Sequence, residues 1–299
     1  METCKSRPIG WKLNRHDPMD TKENFNTILN LIARQPWIGD KTSELSHVLY
    51  EECKCASSRE MLIKILDGFS YLSSQEYSEK LNSLAEEVMS EAGYEDNAQI
   101  VAMAADSGPD SSQELLYNLK YIFTKKEWHS FCGVNTFGGA LKNFKRTGRK
   151  KIFIIDDFVG SGQTVIGRHK ELANVFTNAG VVDFSITFKV LVSTLHGLEA
   201  VRAAGIEISA QLLIKKAIDG CFSEEVATQY RSLMDDLESG LSQDYEGIKL
   251  PKLGYNGAQA AYCREAANTP NSVFPIFWWP FYIDNKKRKT MLHRAMRDA

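Results

Sequence analysis

The sequence predicts an α/β fold: a parallel sheet flanked by helices, with a helical extension ahead of it. Three observations carry this. Between residues 98 and 218, short apolar runs alternate with helical patterns, as parallel strands joined by crossover helices do. Between about residues 20 and 93, apolar residues recur only at helical spacing. The run at 151–155 ends in two acids and a glycine-rich turn, an arrangement suited to a ligand site beyond the end of a strand.

In the first zone Phe25, Ile28, Leu29 and Ile32 line one helix face. Met61, Leu62, Ile65, Leu66 and Phe69 line a second, and Leu81, Leu84, Ala85 and Val88 a third. Asp40, Ser58 and Ser74 stand where N-caps are expected. The middle zone predicts strands at 99–105, 151–155, 183–192 and 206–214. Helices are expected at 111–124, from the glycine-rich turn to 178, and at 195–204. After a helix at 223–237 the chain turns irregular and rich in Gly and Pro, and a long loop region of this kind is more often functional than idle. The expected division is a helical extension at 1–95 and an α/β domain at 96–299 with aromatic loops and a basic tail.

Composition removes several classes. Thirty-six Lys and Arg against 38 Asp and Glu exclude a globally basic nucleic-acid binder, while leaving room for a local basic patch. With 43% hydrophobic and 25% charged residues, the chain is neither collagen-like nor disordered. Residues 1–10 lack an apolar signal core and no run suits a membrane span, so a cytoplasmic protein is expected. The six cysteines are scattered; only Cys53 and Cys55 are close, and one C-x-C is a poor zinc signature, so reduced thiols are expected.

The chemistry concentrates in Lys151-Ile152-Phe153-Ile154-Ile155-Asp156-Asp157-Phe158-Val159-Gly160-Ser161-Gly162-Gln163-Thr164. The glycines let backbone approach an anion, and the following helix N-terminus favours a phosphate. Ser161 and Thr164 add hydroxyl donors. Two carboxylates beside a phosphate cradle would repel the phosphate itself, so they suit neighbouring hydroxyls or a metal. Ribose 5-phosphate has both features. The Walker lysine is missing, and the acids precede the glycines, unlike a dinucleotide fingerprint.

This run resembles the phosphoribosyl-pyrophosphate motif of type I phosphoribosyltransferases. The resemblance implies that Asp156 and Asp157 act at the ribose hydroxyls as the catalytic acids. It also implies that Gly160, Ser161, Gly162, Gln163 and Thr164 bind the 5-phosphate, with Phe158 and Val159 among the substrate-binding residues. A second stretch, Leu253-Gly254-Tyr255, Gln259 and Asn268-Thr269-Pro270-Asn271-Ser272 through Trp278-Trp279, is similar to phosphoribosyltransferase-like proteins of bacterial conflict systems, including retron-associated effectors. That likeness implies a toxic effector in antiphage defence. It also implies a restraining protein or nucleic-acid partner from a neighbouring gene, such as a reverse transcriptase or DNA-binding protein.

One departure stands out. Where such enzymes carry a pyrophosphate loop with a base, this chain reads Ala105-Asp106-Ser107-Gly108-Pro109-Asp110-Ser111-Ser112. Asp106, Ser107 and Gly108 are the expected substrate contacts there. Two acids and no base would neutralise pyrophosphate through Mg²⁺, held by Asp106 and Asp157. Otherwise the donor is a nucleotide, or the site binds without turnover.

Remaining features keep two readings each. Lys125, Lys126, Trp128 and His129 occupy the place of a family catalytic loop, or end a solvated helix. His47 and Glu51 have a metal-compatible spacing, or form a surface pair. Phe277, Trp278, Trp279, Phe281 and Tyr282 build a core or a stacking wall, with Trp278 the candidate ligand contact. Lys286-Lys287-Arg288-Lys289, Arg294 and Arg297 form a solvated tail or contact phosphates.

Overall fold

The computed structural model describes residues 18–93, 97–105, 108 and 110–296. The first zone is helical: α1 (Pro18–Arg34), α2 (Thr42–His47), α3 (Ala56–Asp67) and α4 (Ser74–Ala92), with a three-residue strand β1 (Ser70–Leu72) between the last two. Helix α4 starts at a capping box, in which Ser73 and Glu76 satisfy each other's backbone N–H groups. It ends at Gly93 in the left-handed region, with φ of 73°.

The next segment supplies β2 (Ala98–Ala102), α5 (Ser111–Lys125), β3 (Gly133–Val134), α6 (Ala140–Thr147), β4 (Lys151–Val159), α7 (Gln163–Asn178), β5 (Ser185–Thr194), α8 (Leu195–Ala203) and β6 (Glu207–Ile214). All five strands are parallel, in the order β3-β2-β4-β5-β6. Helix α9 (Glu224–Ser239) leads into the hairpin β7 (Asp244–Tyr245) and β8 (Ile248–Lys249), then β9 (Tyr262–Arg264).

Alternation along β4 divides the core. Ile152 and Ile154 face α7 and α8, meeting Val165, Leu172, Phe176 and Leu198. Phe153 and Ile155 face the other way, into a larger cluster of α1, α3, α4, α5, α9 and the C-terminal loops. Trp279, Phe277 and Phe274 are fully buried in that cluster with Leu31, Leu45 and Leu62. β1 also pairs in parallel with β9. The hydrophobic core therefore does not part at residue 95.

The structure revises several expectations. The N-caps lie elsewhere: α4 is capped by Ser73, Ser58 is buried inside α3 and donates to the Cys55 carbonyl, and no side chain caps α2. β4 runs four residues past 155, because Asp156, Phe158 and Val159 keep pairing with Val190, Val192 and Ser193 of β5. The basic run is not wholly solvated. Arg288 is 4% exposed, forks onto Glu52 at 2.6 Å through both Nε and Nη2, and donates to the Trp279 carbonyl. Arg297 lies outside the described residues. His47 bonds Tyr282 at 2.6 Å across the core as well as Glu51 at 3.0 Å, so it ties chain segments together. None of the five cysteines among the described residues is in a disulfide. No helix among the described residues is long and apolar enough to cross a membrane.

Candidate active site

The carboxyl end of β4 opens into a cavity of about 700 Å³. Its floor is Asp156, Asp157 and the 158–162 loop, and one wall is the start of α5 with Asp110, Ser111 and Glu114. The opposite wall is the C-terminal segment 267–272 with Tyr255 and Arg294.

The loop is fixed by close backbone approach. Thr194, which caps α8, donates from its hydroxyl to the Gly160 carbonyl at 2.5 Å and accepts from the Gly197 N–H at 2.8 Å. A Cβ at Gly160 would stand 1.9 Å from Ser272 Oγ, so only glycine lets the loop meet the C-terminal wall. Gly162 precedes α7 with φ of 78°, and no side chain caps that helix. The first-turn N–H groups of α7 are thus left for a ligand oxygen at the cavity edge.

The acids are in a poor environment for charge. Asp156 is 8% exposed. Burial, then the charges of Asp157 and Asp110, raise its pKa well above the ordinary carboxylate value. Burial also raises Asp157, while a hydrogen bond from Ser111 at 2.6 Å and the charge of Arg264 act against the rise. Asp110 caps α5, accepting from the Ser112 N–H at 2.8 Å, and Ser112 Oγ in turn accepts from the Ala104 N–H at 3.0 Å. That chain of bonds pins the loop after β2 to the head of α5.

A pair of acids, one buried and one half-buried, beside an uncapped helix N-terminus can grip a sugar by its hydroxyls and its phosphate together. The PRTase-CE family matches residues 56–288, well over half of the sequence. The chain belongs to the PRTase-CE family. It is a phosphoribosyltransferase-like protein, and its five-stranded parallel sheet with flanking helices is the fold expected of one. A comparison with curated proteins gives no match. Among solved structures this PRTase-CE chain is similar to a Helicobacter pylori xanthine-guanine-hypoxanthine phosphoribosyltransferase. Identity is 12% over 49% of this chain and 85% of that one, with a TM-score of 0.29. It is also similar to a hypothetical protein from Neisseria gonorrhoeae with bound ppGpp, at 12% identity over 56% of this chain and 97% of that one, with a TM-score of 0.33. At such values the assignment rests on the family match.

Against the sequence expectations, the PRTase-CE cavity gathers Asp156, Asp157, Phe158, Val159, Gly160, Ser161, Gly162 and Thr164. Gln163 is exposed on the first turn of α7 and is not on the cavity lining, and neither is Gly108. Asp106 and Ser107 lie outside the described residues. Trp278 needs correction: it is 3% exposed, donates to the Val273 carbonyl at 2.9 Å and packs edge-on to Trp279, so it is core and not a ligand wall. Lys126 pairs with Glu86, and Trp128 packs on Phe123, both away from the cavity.

Sequence reasoning missed two of the cavity's cations, Arg168 and Arg264, and the acid Glu114, and it read the third cation, Arg294, only as part of a basic tail. Arg168 was within reach, because it follows Thr164 by four residues and shares its helix face. Arg264 carried no signal, since the three-residue β9 shows no period of its own.

Proposed function

We propose that the cavity binds the ribose 5-phosphate part of a phosphoribosyl donor, phosphoribosyl pyrophosphate or a nucleotide, and promotes reaction at its C1. The observation that carries this is the Asp156–Asp157 pair, the first buried and the second half-buried, placed beside the uncapped N-terminus of α7. The helix N–H groups, Ser161 and Thr164 take the phosphate. The acids take the ribose hydroxyls, and a proton retained by Asp156 lets it donate to a hydroxyl oxygen while Asp157 accepts. As the C1–O bond to the leaving group breaks and the bond to the acceptor forms, C1 gains oxocarbenium character. The nearby carboxylate stabilises that charge more in the transition state than in the ground state.

A Mg²⁺ ion fits this reading as a companion of the substrate. Among the described residues no group of three or more His, Cys, Asp or Glu is placed to hold a metal alone. Two adjacent carboxyls whose net pKa shift is upward match an ion that takes its other ligands from phosphates and water. Asp157, with Asp156 beside it, would hold the ion, which when bound supplies neutralisation of phosphate charge.

The test is binding and turnover on the full chain. Calorimetry with phosphoribosyl pyrophosphate and Mg²⁺, followed by a pyrophosphate-release assay, is expected to show both in the wild type. Asp156→Ala with Asp157→Ala is expected to abolish turnover in a folded protein; full activity in that variant overturns the assignment. Binding without release against any base or nucleotide favours the second reading, a regulatory ribose-phosphate module. The acids at the head of α5, Asp110 and Glu114, favour that reading. The defence role rests on the likeness of 253–279 to conflict-system proteins. Phage challenge of cells carrying the gene with its neighbours, wild type against the double variant, tests it; equal protection by both removes the enzyme from the defence.

A further inference from the structure

We propose that Arg264 is the cation of a second anion subsite in this cavity, holding the diphosphate of the donor in place of the base missing from the loop after β2. The inference rests on the ribose-phosphate reading above. A diphosphate brought next to Asp156, Asp157 and Asp110 needs a fixed positive charge close to the acids.

Arg264 reaches the cavity from outside the five-stranded sheet. It stands on β9, in register with Leu72 of β1. Its guanidinium lies 4.5 Å from the centre of the Tyr77 ring on α4 and 2.9 Å, through Nη2, from Glu114 on α5. The side chain is only 12% exposed, whereas its counterion Glu114 is 51% exposed. The Nε–H has no acceptor among the described residues. A desolvated guanidinium with a spare donor and a loosely held partner is poised to exchange a carboxylate for phosphate oxygens. Its planar fork matches two such oxygens at once.

The other two cations are engaged differently. Arg168 lies 4.4 Å over the Phe137 ring on the helix whose first turn receives the 5-phosphate, and Arg294 donates to the Thr269 carbonyl at 2.6 Å. The charge of Arg264 opposes the rise of the Asp157 carboxyl. The seat is made by the first zone of the chain: β1 pairs β9, Tyr77 stacks under the guanidinium, and Glu265 accepts from the Ser74 N–H at 2.8 Å. The helical extension thereby becomes part of the site, positioning its second cation.

The experiment compares ribose 5-phosphate with phosphoribosyl pyrophosphate, each with Mg²⁺, on the full chain by calorimetry. The wild type is expected to bind the diphosphate compound more tightly. Arg264→Gln is expected to weaken that compound about tenfold to a hundredfold while changing ribose 5-phosphate by less than about threefold. Arg264→Lys, which keeps the charge and loses the fork, is expected to recover part of the loss. Equal weakening of both ligands, or of neither, overturns the subsite and leaves the ribose-phosphate reading intact. No binding of ribose 5-phosphate to the wild type overturns that reading and this one with it. Should Arg264→Gln fail to fold, Glu114→Gln serves: freeing the guanidinium is expected to hold or raise affinity for the diphosphate compound, and a fall overturns the proposal.

Discussion

Asp156 is a residue whose charge the fold opposes. Buried at the end of β4, with Asp157 and Asp110 close, it has a raised pKa. A carboxyl raised in the folded state adds stability that is complete below its ordinary pKa and is lost as pH rises through the folded value. Asp156→Asn, which cannot ionise, is therefore expected to melt higher than the wild type at pH 7–8. Each kcal/mol relieved is worth about 2–4 °C at this size, and the gain should shrink as pH falls toward about 4. Thermal melts across pH, read beside activity, check this; a variant less stable at neutral pH would mean that the ionised acid has a partner here. Gly160 makes a steric counterpart. Gly160→Ala drives a Cβ to 1.9 Å from Ser272 Oγ and 2.7 Å from Ser272 Cβ, and is expected to abolish ligand binding. Ser272→Gly removes both obstructing atoms, so the double variant should regain binding that Gly160→Ala alone lacks.

At the scale of elements, α4 is joined to the sheet by charge as well as by apolar packing. Lys189, in the middle of β5 and 2% exposed, bonds Glu87 at 2.6 Å and Glu91 at 2.5 Å. Ser209 of β6 donates to Glu87 at 2.5 Å, and Gln211 also bonds it. Burial pushes Glu87 up, but Lys189, Ser209 and Gln211 outweigh it and the net shift is downward. Stability from such a depressed acid is present above its ordinary pKa and lost as pH falls through the folded value. Lys189→Met is expected to cost about 1–3 kcal/mol at neutral pH, less than the about 3–5 kcal/mol of a fully broken buried pair because Glu87 keeps two other donors. It should also flatten the acid limb of the wild-type stability curve, and urea unfolding at pH 4 and pH 7 checks both. The sequence shows why some of this was legible and some was not. β5 announces itself through Ile186, Phe188, Val190 and Val192, and the acid pair through its place between an apolar strand and a glycine turn. β1 and β9, three residues each, are too short to express an alternation, so Arg264 was invisible without the fold. Trp278 misled because an aromatic cluster reads alike as a core or a stacking wall, and its burial beneath the C-terminal segment is a tertiary fact.

Across the whole molecule, the segments before and after the sheet form one body with it. Arg288 joins them, bonding Glu52 through two nitrogens while it caps the Trp279 and Ile276 carbonyls. Tyr282 donates to the same Glu52 at 2.8 Å and meets His47 on its other side. The guanidinium is wholly buried and Glu52 is 9% exposed, so neither charge can turn to water if the other is removed. Arg288→Met should accordingly cost about 3–5 kcal/mol, much more than a solvated tail residue would. The loss should reach the site, because the segment held by Arg288 is continuous with the 267–272 wall. Since the large cluster runs from α1 to the C-terminal loops, unfolding is expected to remain a single cooperative transition in the wild type and the variant, shifted to lower denaturant with an unchanged slope. Ribose 5-phosphate affinity, measured where the variant is still folded, should fall as well. An early transition confined to the helices, with binding retained, would mean that the extension is a separate domain leaning on the sheet. In that case Arg264 would have to be seated by β9 and Glu114 alone, without the Tyr77 ring beneath it.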